Sequence, residues 1–365
     1  MPVSCFHRYV DFIKYAIAPS LNDVPNTDGI DWRRLYKFVD KQAILGIVFE
    51  GVKRLSEQGI KPPFDVLMDW IAIAENIERR NKVLNKRCDE VQKIYAEAGF
   101  VTCILKGQGN AQMYPNPLSR MPGDIDLWVK PDKDGIKGII KYVRKHNPRA
   151  RAEYHHIDYG DCNGVEVEVH YRPSFSNNLI YNRRLQKWFY AQAERQYDHI
   201  IDVPGNAGSI CVPTFEFNII FQLSHIYRHL IQEGIGLRQV IDYYYLLKSN
   251  TNRTDNTNIC DTLRYLGLVK IAEALMWVLH EKLGLEEEYL IAPMDEKSGN
   301  VLLGEILRGG NFGQYDDNNR KATTAVKKNI QRIKRDLRMM RYFPSECLWE
   351  PVFRVYHWMW RMKYN

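Results

Sequence analysis

The run Met121-Pro122-Gly123-Asp124-Ile125-Asp126-Leu127-Trp128-Val129 constrains this chain more than any other segment. Two acidic residues stand two apart inside an apolar stretch. In a strand successive side chains alternate faces, so Asp124 and Asp126 leave one face while Ile125, Leu127 and Val129 leave the other. One face then belongs to a core, and the other can hold a cation. A second run, Val165-Glu166-Val167-Glu168-Val169-His170, repeats the pattern: the valines share one face, and Glu166, Glu168 and His170 share the opposite one. Placed beside the Asp124 strand, it adds a third carboxylate, Glu168. Glu166 either exchanges roles with Glu168 or lies on the surface, and His170 either assists the site or is a structural hydrogen-bond partner.

Three carboxylates on adjacent strands make an oxygen-rich site suited to Mg2+ or Mn2+, ions that accept carboxylates, waters and substrate phosphates as ligands. Such ions lower the charge on a triphosphate and activate an attacking hydroxyl, which is the chemistry of phosphoryl or nucleotidyl transfer. Upstream, the short apolar stretch Val101-Thr102-Cys103-Ile104-Leu105 ends at Lys106-Gly107-Gln108-Gly109. Glycines let backbone amides approach an anion, and a lysine adds charge. The spacing is not that of a Walker loop. Arg120 offers a guanidinium fork for phosphate, or braces its own loop. Lys106 likewise either serves phosphate or is a surface lysine ending a strand.

The order of textures along the chain is helical, then α/β, then helical. Apolar residues recur at helical spacing through Trp32, Leu35, Tyr36 and Val39, and again in a long charged helix from about Phe64 to Ala98, opened by Pro62-Pro63 and stopped by Gly99. From residue 100 the pattern predicts strands at 101–105 and 124–130, a helix after Pro131, two hairpin arms at 153–159 and 165–171 around Gly160-Asp161-Cys162-Asn163-Gly164, and short strands at 199–203 and 209–212. After Pro213, with Thr214 as N-cap, helices are expected around 214–232, 236–249, 257–283, 298–308, 320–341 and 352–362, with a loop at 309–319. The fold class is therefore α+β. Its domains are an N-terminal helical region (1–98), a small mixed-sheet core (99–213) and a C-terminal helical domain (214–365).

The succession of strand, Lys106-Gly107, a spacer holding Tyr114, Pro115 and Arg120, then Gly123-Asp124-Ile125-Asp126-Leu127 and a later Glu168-Val169-His170 resembles the nucleotidyltransferase superfamily typified by DNA polymerase beta. Within it, the chain is similar to a group of uncharacterised bacterial nucleotidyltransferases, over roughly residues 95 to 250. The resemblance implies that Asp124 and Asp126 bind catalytic metals, with Glu168 as third ligand and base. It also implies that Gly107 marks the loop under the phosphates, with Lys106, Gln108 and Arg120 around the nucleotide. Gln108 departs from the Ser or Gly usual there. The expected activity is transfer of a nucleoside monophosphate from a nucleoside triphosphate to an unknown acceptor, releasing pyrophosphate. The alternatives are a nucleotide-binding or sensing protein of the same fold, and a nucleic-acid-tailing enzyme. The last is favoured only by the formal charge of +7.

Other features carry less chemistry. His225 and His229 are four apart on one helix, a zinc-compatible spacing without the glutamate of HExxH; the favoured reading has them lining the cleft or bonding a neighbouring helix through Asp242. His155 and His156 fall on opposite faces of their arm, so one of them points inward. The basic run from Lys327 to Arg338 reads as a solvated helix face in preference to a nucleic-acid or membrane surface. Tyr243-Tyr244-Tyr245 and Trp349, Trp358 and Trp360 read as packing. Seven scattered cysteines without a CxxC pair suit a reducing compartment. The N-terminus reads as an amphipathic helix and not a signal peptide, and no apolar run approaches the ~18 residues of a membrane span. A cytoplasmic location is the expectation.

Overall fold

The computed structural model describes residues 9–20, 23–250, 256–315 and 325–365. Four helices come first: α1 (Val10–Ile17), α2 (Trp32–Lys41), α3 (Leu45–Glu57) and the long α4 (Phe64–Glu97). Asp31 starts α2 by accepting a hydrogen bond from the Arg34 N–H. The sheet segment follows as β1 (Thr102–Leu105), α5 (Gly107–Ala111), β2 (Ile125–Val129), α6 (Ile136–His146), β3 (His156–Asp161), β4 (Glu166–His170), α7 (Leu179–Tyr197), β5 (Ile200–Asp202) and β6 (Ser209–Cys211). Helices complete the chain: α8 (Phe215–Gln232), α9 (Leu237–Lys248), α10 (Asn256–Leu266), α11 (Val269–Trp277), α12 (Glu296–Gly309), α13 (Ala325–Met339) and α14 (Pro344–Tyr364).

The main sheet has the order β1-β2-β4-β3. The β1/β2 and β3/β4 pairs are antiparallel, whereas β2 and β4 run parallel, with α6 and β3 filling the crossover between them. One face, with Ile104, Ile125, Leu127, Val129, Val167 and Val169, packs on α4 and α6. The other presents Cys103, Leu105 and Trp128 to the larger core. There Trp128 stacks on Phe217 of α8 at 5.3 Å and meets Tyr197 of α7 at 4.9 Å. This larger core runs through α1–α3 and α8–α12 alike, so helices from both ends of the chain share one apolar interior.

Helix α7 is an element that apolar periodicity does not announce. Its buried stripe, Asn182, Leu185, Phe189, Ala193 and Gln196, has helical spacing, but polar residues hold both ends of it. Asn178 caps the helix by accepting from the N–H groups of Ile180 and Tyr181. The single helix expected over 257–283 is two helices, because Gly267 takes a φ of +72° and closes α10. A Cβ there would stand 2.5 Å from the Tyr181 ring. The first hairpin arm starts later than expected, at His156, and bulges between Asp158 and Gly160. Thr214 stands at the N-cap of α8 but makes no side-chain cap bond. Part of the loop expected at 309–319 lies outside the described residues.

Candidate active site

Register builds the site. In the parallel β2/β4 pair Asp126 stands opposite Glu168 and Trp128 opposite His170, while Leu105 faces Asp126 across β1. The alternation read from the sequence therefore puts Asp126, Glu168 and His170 on the sheet face turned toward α7 and α8. Among the described residues, Asp126, Glu168 and His170 offer ligand atoms all within 4.8 Å of one another, and His156, Asp158 and Glu168 form a second such group. Asp124 precedes β2 at the rim and is exposed; Asp126 is buried. Glu166 is exposed on the surface, so the two same-facing glutamates part company at the sheet edge.

Asp126 carries most of the electrostatics. Its Oδ1 accepts from Lys106 Nζ at 2.9 Å and from His170 Nε2 at 2.9 Å, and His170 Nε2 also lies 3.4 Å from Glu168 Oε2. Burial pushes the Asp126 carboxyl up, but the Lys106 ammonium and the His170 hydrogen bond outweigh it and hold the group well below the usual carboxylate range. Glu168 is likewise pushed up by burial and pulled down further by His170, to about 2. The two carboxylates raise His170 above the ordinary imidazole value against the opposing pull of burial. Asp124 is raised, first by the nearby Asp126 charge and then by desolvation.

Lys106 ends β1 with a φ of +53°, a rare value for a residue with a Cβ, and this turns the chain into α5. The turn brings Gly107 against the strand: a Cβ on it would lie 3.7 Å from the Asp124 carbonyl. Gln108 points elsewhere. It is buried and donates to Asn85 Oδ1 of α4 at 2.5 Å, so its side chain anchors the loop and does not face a nucleotide. Arg120 has the bracing role: Nε and Nη2 donate to Asp242 Oδ1 and Oδ2 of α9, each at 2.8 Å, and both side chains are buried. Tyr114 adds a hydrogen bond to the same carboxylate at 2.8 Å. Two donors of the Arg120 fork, Nε and Nη2, are thus engaged within the protein, while the residue also lines the cleft beside Asp124 and Asp126.

The opposite wall comes from α8 and α9. His225 Nε2 lies 3.4 Å from Lys106 Nζ, and Arg228 sits between His225 and His229, with Nη2 at 3.3 and 2.6 Å from their rings. His229 continues to Glu233 at 3.1 Å. Asp242 binds neither histidine, because Arg120 and Tyr114 occupy it; among the described residues, these histidines join no group of three metal ligands. Burial and the neighbouring cations keep both histidines neutral: His225 falls well below the ordinary value, and His229 falls to about 4. His155 and His156 also depart from the strand expectation. Their rings touch, at 3.0 Å between nitrogens, and both lie 5.4 Å from the His170 ring, since His155 precedes the regular strand and escapes its alternation.

Two openings meet at Gly123 and Asp124. A small cleft of about 40 Å³ lies between Asp126, Lys106, His225 and Arg238. A groove of about 690 Å³ lies outside, walled by Arg79 and Arg80 of α4 on one side and by Asp158, Glu166 and Glu168 on the other. Sequence reasoning missed this contribution of α4. Its trace was the pair Asn81 and Asn85, four apart in a charged helix: Asn81 Nδ2 donates to the carbonyls of Leu118 and Arg120, and Asn85 receives Gln108.

A small mixed sheet with an acidic strand pair, a Lys-Gly turn above it and a helical lid carrying imidazoles defines a nucleotidyltransferase type of core. The family model of uncharacterised nucleotidyltransferases matches residues 28–284, and this chain belongs to that family. A solved structure, an antigenic nucleotidyltransferase-like protein from Paracoccidioides brasiliensis, is similar at 13% identity with a TM-score of 0.32, over 62% of this chain and 98% of that one. Among curated proteins, no relative matches the sequence.

Proposed function

We propose that this protein is a divalent-metal-dependent nucleotidyltransferase that moves a nucleoside monophosphate from a nucleoside triphosphate to an acceptor, with release of pyrophosphate. The observation that carries this reading is the register that sets Asp126 opposite Glu168 on parallel strands, with Asp124 at the rim. Carboxylate oxygens from two strands, on a face partly open to a groove, are a donor set suited to Mg2+ or Mn2+. Asp124, Asp126 and Glu168 would hold the ion, which when bound lowers the charge of a polyphosphate and the pKa of an attacking hydroxyl. Glu168, ionised across the ordinary pH range, is available as ligand and as proton acceptor. Lys106 stands between Asp126 and the cleft on a flexible stem, so the ammonium that neutralises Asp126 can serve phosphate oxygens. The small cleft admits little more than a water, whereas the groove beside Arg79 and Arg80 has the volume of a ligand site and suits a nucleoside or acceptor.

A second reading draws on the same contacts. Lys106 and His170 already satisfy Asp126 Oδ1, as they would in a protein that binds nucleotide without turning it over. Calorimetric titration of Mg2+ with ATP, GTP, CTP and UTP, on the wild type and on Asp124→Ala/Asp126→Ala, tests the site. Metal-dependent binding lost in the variant supports it, and identical binding in both proteins overturns it. Pyrophosphate release across an acceptor screen then separates transfer from sensing.

A further inference from the structure

Residues 325–365 hold ten lysines and arginines against three acidic residues, a formal +7 that equals the charge of the entire chain. The remainder is neutral. The three acids, Asp336, Glu346 and Glu350, are buried, whereas Arg332, Lys334, Arg341 and Lys363 are exposed. The surface of this segment is therefore cationic without an exposed acidic side chain.

The same segment exposes large apolar side chains at helical spacing. On α13 they are Ile330, Ile333 and Leu337, the last 63% exposed; on α14 they include Val352, Val355 and Met359, with Trp358 beside them and Met362 67% exposed. These positions recur every three or four residues, which makes one stripe per helix. The stripes share a side. Arg354 Nη1 donates to Asn329 Oδ1 across the two helices, and these residues stand equally far from the turn that joins them, as in an antiparallel pair. In such a pair the residue following each contact rotates to the same side, so Ile330 and Val355 lie together. The face of α13 is open to solvent, as expected, but it carries apolar residues beside the charges; the expectation of packing for Trp358 is corrected, since the residue is 55% exposed.

We propose that the α13–α14 face docks on an anionic lipid bilayer, lying in its interface and not crossing it. A cationic helix face with an apolar stripe and a tryptophan is the pattern of an interfacial helix. No helix among the described residues is long and apolar enough to span a membrane. Charge selects this occupant over a second copy of the chain, since self-pairing would bring two cationic segments together. It is also selected over nucleic acid, which would satisfy the cations and leave the apolar stripe in water.

The test is sedimentation of the full chain with vesicles of phosphatidylcholine alone and of phosphatidylcholine with phosphatidylserine. The expected result is salt-sensitive binding to the second only, weakened roughly five-fold by each of Lys334→Gln and Lys363→Gln. Leu337→Ser/Trp358→Ser should weaken it by roughly ten-fold or more. All four positions are exposed, so unchanged thermal unfolding of the variants separates lost docking from lost fold. Equal binding to both vesicles, or to neither, overturns the proposal. So does a dimer in equilibrium sedimentation that Leu337→Ser/Trp358→Ser dissolves, or RNA binding indifferent to those two substitutions.

Discussion

The two walls of the cleft were built by different rules. The sheet wall obeys a period of two, so the side-chain directions of Asp126, Glu168 and His170 follow once the strand is recognised. In the helical wall, α8 is buried at every position from Phe217 to Ile231, and no apolar stripe distinguishes the face that meets the site. Its polar residues take partners set by tertiary contact: His225 meets Lys106, and Arg228 bridges two imidazoles. A half-buried strand announces its functional face, whereas a fully buried helix hides it.

Removing the central carboxylate should break the sheet wall most severely. Asp126→Ala takes away a proposed metal ligand and leaves Lys106 and His170 without their shared acceptor. Losing several kcal/mol of transition-state stabilisation corresponds to a fall on the order of 10³-fold in pyrophosphate release. A variant with near wild-type turnover would show that the sheet wall is structural only.

Next comes the contact that joins the two walls. Arg120 and Asp242 form a buried fork, and deleting either partner strands a charge, which costs about 3–5 kcal/mol. Denaturant unfolding of Arg120→Ala and Asp242→Ala should show losses of that size, with the double variant costing less than their sum. If Arg120→Ala left stability intact and weakened nucleotide binding, the phosphate role of Arg120 would be supported.

The helical wall can be sharpened through pH. His229 is held at about 4 by burial and by Arg228, below its ordinary value near 6.5. Between those values the unfolded chain binds the proton that the folded chain refuses, so stability rises with pH and is lost as pH falls through this window. Unfolding of His229→Asn measured from pH 7 to 4 should show a shallower acid decline than the wild type. An identical slope would mean that the imidazole is charged in place.

The smallest effect belongs to Glu166, two residues from Glu168 on the same face but exposed. Glu166→Gln should change stability by no more than about 0.5 kcal/mol and leave metal titration unaltered. A clear loss of metal binding would put both glutamates in the site.

The sequence alone determined the acidic strands, their inward and outward faces, the Lys-Gly turn and the helical flanks, because each depends on spacings of two to four residues within one element. Tertiary structure alone decided the partners. Arg120 reaches Asp242 across 122 positions, Gln108 turns to Asn85, and His155 lies beside His156 where strand alternation would have parted them. Alternation and helical repeat state which way a side chain leaves its own backbone. What it meets depends on which distant element the fold packs against it, and local pattern holds no record of that.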